Sequence, residues 1–135
     1  LKLYAQHLGW LHSLPKMHDK DTSPSSRSEQ FPKDDPMLTM PECDNLVLQA
    51  GIDCGIYTSN GMGVSALTWQ EIQAYSEISG VNLTHWESRM VHLMSKEYVT
   101  FKNFATENRH ARSPYKPVID DNAISGEKQL MNVLG

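Results

Sequence analysis

The chain has 135 residues, of which 39% are hydrophobic and 21% charged, and carries a formal net charge of -4. This length fits one domain with a modest core, and the acidic balance argues against a protein that binds nucleic acid non-specifically. No apolar run reaches the eighteen or so residues that a membrane span needs, so the sequence predicts no membrane association.

The first forty residues predict a helix and then a linker. Apolar residues at helical spacing over 3–14 predict a helix that stops at Pro15, so residues 1–15 form the N-terminal helical segment. From Lys16 the composition changes to Asp, Ser, Lys and Pro. Such a stretch has too few apolar side chains to order itself, and we expect a flexible linker over 16–40.

Residues 41–106 are predicted to form the helical domain. Its first helix covers about 41–54, because Pro41 suits a first helical turn and Gly55 a C-terminal stop. Residues 55–66 form a glycine-punctuated loop in which Asn60-Gly61 is a tight-turn pair. A short β-hairpin is possible there, although both flanks are brief.

A Thr-x-x-Glu sequence occurs twice, at residues 68–71 and 84–87. In this capping box the threonine hydroxyl accepts from the backbone N–H three residues on, and the glutamate reaches back to the N–H of the threonine. Each threonine is followed, one or two positions later, by a tryptophan, Trp69 or Trp86. The two boxes therefore predict that each tryptophan lies on the first turn of its helix.

The predicted fold class is all-α, a small bundle of about four helices. Its best-ordered part is a C-terminal helical hairpin over 69–106, with helices at 69–79 and 85–106. After it, Pro114 and Pro117 prevent a helix, so we expect residues 107–135 to be an extended or partly disordered tail. A short helix over 126–133 is also predicted.

No catalytic or metal-binding signature is found. The six histidines lack metal-ligand spacing, and His85 and His92 lie seven residues apart, two helical turns distant on one face. The two cysteines, Cys43 and Cys54, are fewer than a disulfide-stapled secreted domain usually carries, which favours a reduced, cytosolic compartment. We therefore expect a protein that is not an enzyme and needs no cofactor or metal.

The hairpin carries aromatic and methionine side chains of the kinds that grip a partner protein. The residues expected to bind a partner are Trp69, Tyr75, Trp86, Met90, Met94 and Tyr98. The alternative is that the aromatic residues simply form the core, and for Trp69 and Trp86 the sequence leaves both interpretations open.

Charge is distributed unevenly along the chain. Residues 29–55 are mainly acidic, whereas the stretch 89–116 is mainly basic, and such halves can attract an acidic partner or a second copy of the chain. The residues expected to steer acidic partners are Arg89, Lys96, Lys102, Arg109, Arg112 and Lys116.

A DNA-binding helix-turn-helix is an alternative interpretation of the same hairpin. Its recognition residues would be His85, Ser88 and Arg89. Against it, the stretch between the helices, Gly80 to Thr84, is long for that motif. Trp86 would also occupy the place of a compact aliphatic residue, and the net charge has the wrong sign.

The run from Leu46 to Tyr98 resembles the tail assembly chaperones of long-tailed bacteriophages. In that family an aromatic-containing helix precedes a Gly-rich loop, a Leu-Thr-Trp-x-Glu-Ile-x-Ala-Tyr phrase and a later Trp-Glu pair. The matching residues are Gly55-Ile56-Tyr57, Asn60-Gly61-Met62-Gly63, Leu67-Thr68-Trp69, Glu71-Ile72, Ala74-Tyr75, Gly80, Leu83, Trp86-Glu87 and Tyr98.

The resemblance implies a non-enzymatic protein of the host cell cytoplasm. Such a protein binds the phage tape-measure protein, keeps its apolar helices soluble and helps to recruit tail-tube subunits. In some members the C-terminal domain is a frameshift extension of a shorter product, and a chain that begins at Leu1 suits that origin or a fragment equally. A virion structural or joining protein is a further alternative.

Overall fold

The computed structural model describes residues 1–15, 25–43, 45–61 and 63–117. Within them, the regular structure consists of four α-helices, two short 3₁₀ helices and one two-stranded sheet. The elements are α1 (Lys2–His12), 3₁₀ helices at Arg27–Gln30 and Pro36–Leu38, α2 (Asn45–Asp53), β1 (Tyr57–Ser59), β2 (Val64–Ala66), α3 (Trp69–Ser79) and α4 (His85–Glu107). The fold is predominantly helical, and the sheet corrects the prediction of a purely α-helical chain.

Helix α1 packs along the C-terminal half of α4. At Gly9 the two backbones approach so closely that a Cβ atom would lie 2.4 Å from the Tyr98 carbonyl oxygen. Ala5 and Leu11 on the same helix are also buried. Glycine and alanine at this contact let the two helices meet almost backbone to backbone.

Residues 25–40 are ordered, which corrects the prediction that they belong to a flexible linker. Arg27 is only 5% exposed, and its guanidinium donates to Ser13 Oγ and to the backbone oxygens of Ala105 (2.7 Å), Asn108 (3.0 Å) and Arg109 (3.1 Å). The bond to Ala105 gives a partner to a carbonyl in the last turn of α4, where carbonyl groups lack intrahelical donors. The remainder of the predicted linker, residues 16–24, lies outside the described residues.

Residues 108–117 are non-helical, and they pack back onto α1. The Trp10 indole donates to the Ala111 carbonyl at 2.9 Å, and Ser113 Oγ lies 3.0 Å from His7 Nδ1. This stretch of the predicted tail is therefore attached to the fold. The predicted helix 126–133 lies outside the described residues.

The glycine-punctuated loop does form a β-hairpin. Strands β1 and β2 are antiparallel, with Thr58 opposite Ser65. Gly61 in the turn has φ +79°, a backbone conformation that glycine adopts readily. The hairpin is held to α4 by Ser95, which accepts from Leu67 N at 2.7 Å and donates to the Ile56 carbonyl at 2.5 Å.

Both capping boxes are present, which confirms the predicted helix starts. Thr68 Oγ1 accepts from Glu71 N at 3.2 Å and Thr84 Oγ1 from Glu87 N at 3.1 Å, and each glutamate returns a bond to its threonine N–H. Helix α3 ends as predicted at Gly80, which has φ +73°. These local signals fix where α3 and α4 begin.

Helix α4 contributes residues to all three hydrophobic clusters of the core. Val91 packs in one cluster with α2 and α3, Met94 and Tyr98 pack in a second with α1, and Ala105 packs in a third with Trp10. All three clusters meet one side of α4, so its other side is left for solvent or a partner.

Candidate partner-binding surface

Trp69 stands half exposed on the first turn of α3 and stacks on His92 of α4. The ring centroids are 4.2 Å apart with an interplanar angle of 15°, and 50% of Trp69 is exposed. Burial under the indole lowers the pKa of His92, and the positive charge of Lys96 lowers it further. The neutral imidazole thus forms a flat support that holds the indole at the surface.

One groove opens on each side of this indole. The first, called here the Trp69 groove, has a volume of about 320 Å³ and is lined by Trp69, Arg89, Met90, His92, Leu93 and Lys96. The second, of about 220 Å³, lies between α3 and α4 and is lined by Trp69, Ile72, Gln73, Ser76, Glu77, Leu83 and Ser88. Trp69 is the one residue that lines both of these grooves.

Local contacts fix the position of the Trp69 side chain. The capping box starts α3 at this residue, and Ile72, one turn later, is buried in the core. Glu71 also accepts from Thr58 Oγ1 of the β-hairpin, and this bond, together with those from Thr68, lowers the pKa of the Glu71 carboxyl. The start of α3 is therefore tied to the sheet, and the indole projects from a rigid support.

The other residues predicted to bind a partner divide into three groups: exposed, half-buried and buried. Trp86 is 58% exposed on the first turn of α4, and Met90 is half-buried in the wall of the Trp69 groove. Tyr75 is half-buried, with its hydroxyl donating to Asp53 Oδ2 at 3.0 Å. Met94 and Tyr98 are 1% and 2% exposed, so both are core residues, which corrects their assignment to an exposed surface.

Five of the six predicted steering residues lie in three places. Arg89 and Lys96 edge the Trp69 groove, while Arg109 and Arg112 line a groove of about 570 Å³ with Phe104 at the end of α4. Lys116 is exposed beyond that groove.

Lys102 is not available for steering in the same way. It is half-buried, with its ammonium 4.7 Å from the Tyr57 ring centroid, and burial lowers the pKa of this amine.

The residues proposed for DNA reading are not equally exposed. His85 and Arg89 are exposed, whereas Ser88 is half-buried in the groove between α3 and α4.

His92 and Leu93 were not predicted as part of a binding surface. The sequence carried a signal for His92, because His85, Arg89, His92 and Lys96 recur at intervals of four, three and four, which places them on one helical face. Nothing in the sequence pairs His92 with Trp69, since that contact joins two helices.

Three further observations bear on the class of site. Among the described residues, no group of three or more His, Cys, Asp or Glu is arranged to hold a metal ion. None of the helices in that part of the chain combines the length and the apolar character that crossing a membrane requires. No protein-family model, curated protein or solved structure matches the chain.

Proposed function

We propose that this protein is a non-enzymatic binding protein that holds an apolar segment of a partner protein against the Trp69 groove. The observation that carries the proposal is the half-exposed Trp69 indole, stacked on His92 between two grooves. Tryptophan exposed in a rigid, concave setting is the residue type that most often dominates protein–protein binding.

The residues that line the groove favour an apolar ligand. Met90 and Leu93 line it and are half-buried, and we call them its floor. Methionine adapts to varied apolar shapes because its side chain is unbranched and polarizable. Trp86 adds a second exposed indole on the first turn of α4. Together these side chains offer apolar area that the fold itself does not cover.

The partner we propose is the tape-measure protein of a long-tailed phage. The support is the resemblance of residues 46–98 to tail assembly chaperones, which includes Trp69 and the Trp86-Glu87 pair. In this role the protein acts in the host cell cytoplasm, keeps tape-measure helices soluble and helps recruit tail-tube subunits. The small bundle with its α3–α4 hairpin serves as the scaffold for the groove.

Co-purification of the full chain with the tape-measure protein tests this function. We expect a complex that persists as salt is raised, because burial of apolar surface is not screened by ions. Finished phage particles should lack the protein. Retention in particles would instead indicate a virion structural or joining protein.

The helix-turn-helix alternative predicts the opposite salt dependence. Binding to duplex DNA falls steeply with added salt, because phosphate contacts release counterions. A DNA complex that forms at low salt and is lost in Arg89→Ala, without any complex with the tape-measure protein, would overturn the chaperone proposal.

A further inference from the structure

Two cationic side chains, Arg89 and Lys96, line the Trp69 groove, and we call them its rim. Arg89 and Lys96 flank its apolar floor, and both are exposed. The positions three and four residues from each of them on α4 hold His, Trp, Leu, Val or Thr, so no carboxylate of the helix can pair with them. An ion pair joins Lys2 to Glu97, and neither of these residues lines the groove.

We propose that the Trp69 groove binds an apolar helical segment that carries a carboxylate on each side of its apolar anchor. This inference rests on the proposed function and names the chemistry of the partner. Arg89 and Lys96 are seven residues apart, so they stand about 10 Å apart along α4 at a rise of about 1.5 Å per residue. Two acidic residues with the same separation on a partner helix would face both cations at once.

The apolar floor and the rim have different roles in this arrangement. Contact with Trp69, Met90 and Leu93 supplies most of the affinity, whereas charge matching at the rim selects the partner and sets its register. A segment with lysines at the flanking positions would meet two like charges and be rejected. The groove therefore discriminates among apolar helices, which apolar contact alone does poorly.

Nucleic acid fits the same surface less well. The Trp69 indole covers His92 in the middle of the cationic face. Glu71 and Glu77 are exposed on the adjoining helix α3. Beside the two cations, nucleic acid would meet the apolar Met90 and Leu93 and, in the groove on the other side of Trp69, the Glu77 carboxylate, which repels phosphate.

Two designed helical peptides test the proposal with the full chain. They share a central leucine anchor and differ only at two positions seven residues apart around it, which are Glu in one peptide and Lys in the other. Fluorescence anisotropy of the labelled peptides gives both dissociation constants at 50 mM and 300 mM NaCl. We expect the Glu peptide to bind at least about tenfold tighter at low salt, and the difference to shrink at high salt.

A charge-reversal variant with a matched control locates the effect. Arg89→Glu with Lys96→Glu should invert the preference toward the Lys peptide. Lys2→Glu with Lys33→Glu changes net charge equally at exposed positions outside the groove, and should keep the wild-type preference. Both variants alter exposed side chains, and circular dichroism checks that they fold.

The outcomes separate this inference from the function on which it rests. Equal binding of both peptides would overturn the charge selection and leave capture of apolar segments intact. If neither peptide binds, both the charge selection and the proposed capture of apolar segments are overturned. A duplex DNA complex that is abolished by the groove reversal, with neither peptide bound, would assign the rim to nucleic acid instead.

Discussion

His7 joins three segments of the chain through one fully buried imidazole. Nε2 lies 2.9 Å from the Met37 carbonyl oxygen and Nδ1 lies 3.0 Å from Ser113 Oγ, while Tyr115 packs edge-on at 5.2 Å. A carbonyl oxygen only accepts, so Nε2 carries the proton of the neutral ring. Protonated His7 could still donate on both sides, hence hydrogen bonding does not oppose the charge. Burial does, and it lowers the pKa of His7.

Stability should therefore decline in mildly acidic solution. The unfolded chain binds a proton at His7 near pH 6.5, whereas the folded chain, with its lowered pKa, does so only at lower pH. The free energy of unfolding then falls as pH drops from 7.5 to 5.5. His12 contributes with the same sign, because burial and then Lys102 lower its pKa.

Urea unfolding of His7→Gln across this pH range checks the assignment. The glutamine cannot titrate, so we expect a shallower decline of unfolding free energy between pH 7.5 and 5.5 than in the wild type. His110→Gln alters an exposed histidine and should keep the wild-type slope. A wild-type slope in His7→Gln would show that another group controls the acid response.

Arg27, like His7, stabilises the fold through contacts with residues that are distant in the sequence. Its guanidinium is 5.5 Å from the Trp10 ring centroid and bonds to backbone oxygens at and beyond the end of α4. Arg27→Lys should lower the free energy of unfolding by about 2–4 kcal/mol, because one ammonium cannot reach all the acceptors that a planar fork reaches, and the buried charge at this position is then left with fewer partners.

Chemical denaturation measures that loss. Arg109→Lys, at an exposed position of the same loop, serves as the control and should change stability by less than about 0.5 kcal/mol. A tolerated Arg27→Lys would mean that the hydrogen bonds of the Arg27 guanidinium contribute little to stability.

At the scale of elements, the contact between α1 and α4 depends on a missing side chain. Gly9→Ala places a methyl group against the Tyr98 carbonyl and within 3.1 Å of Lys102 N, both of them backbone atoms. We expect the free energy of unfolding to fall by about 1–3 kcal/mol, since the helices must separate. Gly51→Ala is the control, because its Cβ meets the flexible Met94 side chain instead.

Thermal and urea unfolding of both variants decide this point. A larger loss in Gly9→Ala than in Gly51→Ala supports the close backbone contact. The reverse order would contradict it.

The elements that were predictable from the sequence are those with local signals. Thr68-x-x-Glu71, Thr84-x-x-Glu87 and Gly80 set the bounds of α3 and α4 without help from the rest of the chain. Asn60-Gly61 similarly indicated the hairpin turn. Helix α2 starts at Asn45 rather than near Pro41, so a proline signal alone placed its beginning too early.

Long-range contacts account for the errors. Residues 25–40 look like a linker because the contacts that order them are with distant parts of the chain: Arg27 reaches α4, Met37 accepts from His7, and Phe31, Leu38 and Met40 pack against the Trp10 cluster. The tail looked detached for the same reason. Met94 and Tyr98 shared the sequence features of a binding residue, and only the docking of α1 shows that they are core.

At the scale of the whole molecule, α4 separates two exposed surfaces. Its 23 residues span about 35 Å at a rise of about 1.5 Å per residue. The Trp69 groove lies near the N-terminal end, while Phe104, Arg109 and Arg112 surround a more polar groove at the other end. Phe104 is 53% exposed, close to the 50% of Trp69, so a substitution of Phe104 is a matched control for a substitution of Trp69.

The measurement that tests the central claim most directly is the affinity of Trp69→Ala and Phe104→Ala for the tape-measure protein, relative to the full wild-type chain. A central tryptophan typically contributes at least about 2 kcal/mol to binding, so we expect Trp69→Ala to weaken the complex about thirtyfold or more. Phe104→Ala removes an equally exposed aromatic ring outside the groove and should change the dissociation constant by less than about twofold. Equal affinities of the two variants, or a greater loss in Phe104→Ala, would contradict the assignment of the Trp69 groove as the binding surface.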